Sequence, residues 1–117
     1  QRLSTGQKRR LLLARALVHQ PQALIFDEPA NGLDMGASLA MLTLLRGFCS
    51  EGRALLITTH HVDEIIPEIE RVVLIRQGQI VADGPKSELL TSAHLSDLYE
   101  TPLHISEKNG WYRCWHD

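Results

Sequence analysis

Two apolar runs, Ala23–Asp27 and residues 54–59, bracket a stretch of helical periodicity, and this order constrains the fold more than any other feature of the chain. A strand, a crossover helix and a second strand within this length form a βαβ unit, whose strands lie parallel. Both runs are nearly continuous in apolar residues, the pattern of strands buried on both faces. The crossover helix is predicted over residues 36–49, with Leu39, Leu42 and Leu45 at helical spacing and Gly52 beyond its end. Asn31-Gly32-Leu33-Asp34 reads as a turn, with Asp34 placed to cap the helix.

The flanking segments add helices and hairpins. Residues 7–19 carry Leu13, Ala14, Leu17 and Val18 at helical spacing and end before Pro21. A short helix begins at Val62 and is broken at Pro67. Residues 71–76 and 79–82 flank Gln77-Gly78, and residues 103–106 and 111–114 flank Asn109-Gly110, so two β-hairpins are predicted. Residues 87–90 and 92–99 read as helical turns. The expected fold class is α/β, a mainly parallel sheet with flanking helices and C-terminal β-hairpins.

With 117 residues the chain is one domain or part of one. A net charge of −2 gives no reason to propose nucleic acid as a partner. Cys49 and Cys114 stand far apart, with no metal-binding or redox spacing, and read as two unpaired thiols in a reducing compartment. No apolar stretch approaches membrane-spanning length, and there is no signal-peptide pattern. The sequence runs from Gln1 directly into a motif and reads as a piece of a larger domain.

Three segments carry candidate chemistry. Ser4-Thr5-Gly6-Gln7 fits a capping box, in which Ser4 accepts from the backbone of Gln7 and Gln7 reaches back. The same helix N-terminus offers N–H groups to a phosphate, and Gly6 permits close approach. Asp27-Glu28 ends the first strand, where open α/β sheets bind ligands. One carboxylate there can hold Mg²⁺ while its neighbour takes a proton from water; the bland alternative is two solvated acids in a loop. His60-His61 ends the second strand, and strand alternation lets at most one of them face a site built by the first strand. No G-x-x-x-x-G-K-[ST] phosphate loop occurs in the chain.

In combination these segments resemble the ABC-type ATPases. Leu3-Ser4-Thr5-Gly6-Gln7 is similar to their signature motif, Leu24 to Glu28 to their Walker B strand, Ala30-Asn31-Gly32-Leu33-Asp34 to their D-loop, and Thr59-His60 to their switch-histidine loop. All four stand in the family's order and spacing, and the resemblance runs from residue 1 to about residue 100. It implies the C-terminal part of a P-loop NTPase domain over residues 1–117, with the phosphate loop, glutamine loop and adenine-stacking aromatic absent. It further implies that Ser4 and Gly6 contact the γ-phosphate of ATP bound to an opposite subunit, with Gln7 and Asp34 among the nucleotide-binding residues. Asp27 would hold Mg²⁺ through water, Glu28 would be the base, His60 would sense the γ-phosphate, and Asp34 would communicate across the dimer interface. His60 is favoured over His61 because Val62-Asp63-Glu64 then falls where the family has an apolar-Asp-Glu run. Thr5 and His61 depart from the commoner Gly and Asp of the family pattern.

The resemblance implies an ATP-binding subunit of an ABC transporter that works with ATP and Mg²⁺. Its partners would be a second ATP-binding subunit, head to tail, and a transmembrane permease. It would be cytoplasmic and peripheral on the membrane through that permease. The tail, with Arg71 to Ile80 and Ala82-Asp83-Gly84-Pro85, is similar to importer subunits, and His60-His61 with Ile66-Pro67-Glu68 to members of the molybdate or iron-chelate type. Two alternatives stand beside this reading. One is a soluble ABC-type ATPase of DNA repair or translation, marked by a coiled-coil insertion or a second cassette. The other is a non-catalytic module, marked by a natural start near Gln1. Without a phosphate loop the chain by itself is expected to be inactive as an ATPase.

Overall fold

The computed structural model describes Lys8 and residues 22–117. The helix expected over residues 7–19 lies outside the described residues. The chain divides into two compact units, Gln1–His60 and His61–Asp117.

The first unit holds the predicted βαβ. Strand β1 (Ala23–Asp27) pairs in parallel with β2 (Ala54–Thr58), in a register that sets Ala23 opposite Ala54 and Asp27 opposite Thr58. Helix α1 (Met35–Ser50) makes the crossover and packs against β2. Asp34 caps it: its Oδ1 accepts from the Ala37 N–H at 2.8 Å. Gly52, at φ +77°, supplies the left-handed residue that lets the chain leave the helix, and its N–H closes onto the Cys49 carbonyl at 3.0 Å. Met41, Leu42, Leu45 and Phe48 form the buried stripe of α1.

The strands differ from their predicted burial. Leu24, Phe26, Leu55 and Ile57 are half-buried, whereas Ile25 is 75% and Leu56 58% exposed. The alternation follows from period-two geometry with one face of the pair covered. A continuous apolar run marks a strand meant for two covered faces; among the described residues one face of this pair stays open.

The second unit is built from two antiparallel hairpins and two short helices. Strand β3 (Arg71–Arg76) pairs with β4 (Gln79–Pro85) through a bulge at Leu74/Ile75. Strand β5 (His104–Lys108) pairs with β6 (Trp111–Trp115). Both turns have two residues with positive φ: 51° and 76° at Gln77-Gly78, 55° and 85° at Asn109-Gly110. That is the twist-matched hairpin geometry the Gln-Gly and Asn-Gly pairs suggested. Parallel pairing among the described residues is confined to β1–β2, because each hairpin forms its own sheet.

Helix α2 (Lys86–Leu89) and helix α3 (Ser92–Tyr99) lie between the hairpins in sequence. Thr91 caps α3 by accepting from the His94 N–H. Ile65, Leu74, Leu89, Leu90, Leu95 and Tyr112 form the core of this unit. The helix expected from Val62 is a single 3-10 turn, Val62–Glu64, after which Ile65 is extended ahead of Ile66-Pro67. Pro67 has no N–H to donate into a longer helix.

Lys86 is buried, 9% exposed. Its Nζ donates to the Pro67 carbonyl at 3.1 Å and the Ile66 carbonyl at 3.4 Å, and lies 5.6 Å from the Tyr112 ring centroid. Burial pushes its pKa down, against the opposing pull of Glu68, Glu107 and Glu70. The turn of the second hairpin lies against the same segment: a Cβ on Gly110 would sit 2.8 Å from Pro67 Cβ. Cys49 and Cys114 are not joined in a disulfide.

Candidate functional site

The C-terminal edge of the β1–β2 pair gathers three of the predicted site residues. Asp27 is the last residue of β1 and lies opposite Thr58, the last of β2. Glu28 follows with φ 47°, a left-handed value ahead of Pro29. Such a backbone costs about 1–3 kcal/mol in a non-glycine residue and persists only where its surroundings fix it. Here the Glu28 N–H donates both to the Thr58 carbonyl at 2.9 Å and to Thr58 Oγ1 at 3.2 Å. The carboxylate then reaches His60, whose Nε2 lies 3.2 Å from Glu28 Oε1. The Glu28 side chain is 30% exposed and that of His60 is 79% exposed. Pro29 and Ala30, directly after, are buried, so the chain turns inward at once behind the carboxylate.

Asp27 is oriented from the opposite strand, because the Thr58 hydroxyl donates to Asp27 Oδ1. A carboxylate held by one oxygen keeps a second for a hydrated cation. Among the described residues no group of three or more His, Cys, Asp or Glu side chains is placed to hold a metal. A single carboxylate suits Mg²⁺, which keeps several waters and is commonly shared between protein and substrate phosphates. The second oxygen of Asp27 is a donor of that kind.

Asp34 is exposed and engaged as the cap of α1. Ser4, Gly6 and Gln7 lie outside the described residues. Strand β2 ends at Thr58, so His60 and His61 stand beyond it and strand alternation does not decide between them. Thr58, which bonds to both acids, is a residue that the sequence did not single out. The signal for it was a hydroxyl residue at the end of an apolar strand, in register with Asp27 once the two strands are aligned as a parallel pair.

No helix among the described residues is long and apolar enough to cross a membrane. The ABC transporter family profile matches residues 1–31, which include the Asp27-Glu28 pair. YlmA of Bacillus subtilis, an ABC transporter ATP-binding protein, is 39% identical over 105 residues, covering 88% of this chain and 40% of its own. The Nod factor export ATP-binding protein I of Burkholderia orbicola is 42% identical over 98 residues, covering 84% of this chain and 32% of its own. A solved structure described as a metal-chelate type ABC transporter, in an inward-facing conformation, superposes with a TM-score of 0.80. It covers 96% of this chain and 45% of that one at 24% identity, a likeness of fold. The chain thus spans about 40% of the length of YlmA. By these matches and the order of its motifs, the chain is similar to part of the ABC transporter ATP-binding proteins.

Proposed function

We propose that the chain is the C-terminal part of an ATP-binding subunit of an ABC transporter, which couples ATP binding and hydrolysis to transport. The observation that carries this reading is the meeting of Glu28 and His60 beside Asp27 at the C-terminal edge of the parallel pair. Relatives named as transporter ATP-binding proteins favour it over an ATPase of DNA repair or translation.

In this reading Glu28 takes a proton from the attacking water, and His60 orients the carboxylate while facing the terminal phosphate. Asp27 would hold Mg²⁺, and that ion would supply positive charge against the phosphate oxygens. Ser4 and Gly6 contact the γ-phosphate of ATP held by a second such subunit, Gln7 belongs to the same nucleotide site, and Asp34 lies at the interface between the two. The subunit sits on the cytoplasmic face of a membrane through its permease, and the permease chooses the cargo.

The test uses the subunit that carries this chain together with a phosphate loop. Glu28→Gln keeps the shape of the side chain but cannot accept the proton. Phosphate release should fall roughly 10²–10⁴-fold while ATP binding survives. Near-normal release would move the base elsewhere. His60→Ala should cost more turnover than His61→Ala, and the reverse order would reassign the histidine.

A further inference from the structure

We propose that Thr58 is a positioning residue for the Asp27–Glu28 pair, setting both carboxylates through one hydroxyl. The proposal rests on the reading of those carboxylates given above. Thr58 stands opposite Asp27 in the parallel register, so its side chain and that of Asp27 leave the sheet on the same face. Its Oγ1 does two things at once. It donates to Asp27 Oδ1, and it accepts from the Glu28 N–H at 3.2 Å. The hydroxyl therefore lies between the side chain of one acid and the backbone of the next.

The chemistry needs a hydroxyl at this point. A hydroxyl can donate and accept simultaneously. Donation to an ionised carboxylate is among the stronger hydrogen bonds and fixes which oxygen is engaged. Acceptance from the Glu28 N–H supports a residue whose φ of 47° is costly without such support. That backbone turn sends the Glu28 carboxylate toward His60. A valine at 58 has the same branching and nearly the same volume, and suits a strand equally well. It would leave the Thr58 carbonyl to accept from Glu28 N–H at 2.9 Å, so the strand pairing survives. What it removes is the link to Asp27 and the second acceptor for Glu28.

The experiment compares Thr58→Val and Thr58→Ser. On the 117-residue chain, the ¹³Cγ resonance of Asp27 and the amide resonance of Glu28 are read by NMR at fixed pH. Thr58→Val should shift both, and Thr58→Ser should leave both near their original positions. In the subunit with its phosphate loop, the Mg²⁺ concentration giving half-maximal hydrolysis should rise roughly 10-fold or more in Thr58→Val, as for other groups that orient a metal ligand. Nucleotide binding measured without Mg²⁺ should stay within about twofold, and Thr58→Ser should restore the Mg²⁺ requirement. Unchanged resonances and an unchanged Mg²⁺ requirement in Thr58→Val would overturn the proposal. Equal losses in the valine and serine variants would also overturn it, because shape and not the hydroxyl would then matter. Hydrolysis that ignores Glu28→Gln would instead remove the reading of the acids, and the NMR comparison would still decide the Thr58 contact.

Discussion

Gly110→Ala should destabilise the second unit by about 2–5 kcal/mol, and the second hairpin turn supplies its own control in the first. Gly110 sits at φ +85°, where an L side chain costs about 1–2 kcal/mol. The new Cβ would also lie 2.8 Å from Pro67 Cβ, 3.3 Å from Pro67 Cγ and 3.4 Å from Pro67 Cα. Pro67 is a rigid ring, so the hairpin or the loop must shift, at about 1–3 kcal/mol for an overpacked contact. Gly78 occupies the same turn position of the other hairpin, at φ +76°, and a Cβ added there would meet nothing within 4 Å. Gly78→Ala therefore carries the backbone cost of about 1–2 kcal/mol alone. The difference between the two variants isolates the contact with Pro67. Both tryptophans of the chain, Trp111 and Trp115, stand on β6, so fluorescence during urea unfolding follows this unit. With a slope of about 1 kcal/mol/M for a unit this small, the Gly110→Ala midpoint should fall about 1–3 M further than that of Gly78→Ala. Equal midpoints would show that the second turn does not press on Pro67.

Leu95→Ala, at a side chain 2% exposed in the same core, should cost about 2–5 kcal/mol in the same fluorescence assay; a loss below about 1 kcal/mol would mean the site collapses or is not packed. Asp34→Ala should cost about 1 kcal/mol through the lost cap of α1, read as faster amide exchange at Ala37 and Ser38, while Asp34→Ser should recover most of it; unchanged exchange would refute the cap. The Arg71 guanidinium, donating Nε to Asp83 Oδ1 at 2.8 Å and its Nη2 to Oδ2 at 2.6 Å, holds the Asp83 carboxyl below its ordinary value. The folded pKa is the lower one, so this stabilisation is complete above the unfolded carboxylate range and is lost as pH falls through the folded value. A ¹³C titration of Asp83 should move upward in Arg71→Gln, and an unmoved titration would dismiss the pair.

Strand β1 was legible to the residue because an apolar run meets a charged Asp27-Glu28-Pro29 stop. The hairpins were legible because Gln-Gly and Asn-Gly supply the two positive-φ positions that tight turns require. The open face at Ile25 and Leu56 was not, because an apolar run records the surface a strand is suited to bury and not what lies over it. Lys86 was invisible for a related reason: a lysine between Pro85 and Ser87 carries no local sign that two carbonyls about twenty residues earlier will receive its ammonium. The site was half legible. Asp27, Glu28 and His60 announce themselves by type and place. Thr58 becomes visible after the parallel register sets it opposite Asp27, a relation between positions 31 apart that neither local sequence contains.

That separation bears on the order in which the molecule forms. Each hairpin of the second unit closes across a two-residue turn. Hairpins of this kind form in roughly 1–10 μs. The Asp27–Thr58 contact closes a span of 31 positions, and at about 0.6 kcal/mol for each doubling of loop length it carries about 2 kcal/mol more closure entropy. The hairpins can thus be complete while the crossover is still searching for its register. A chain emerging in sequence order makes β1 long before β2 exists to receive it, so the two acids acquire their geometry late. Rate-slowing substitutions should accordingly concentrate in α1 and at the ends of the parallel pair, and not in the hairpin turns.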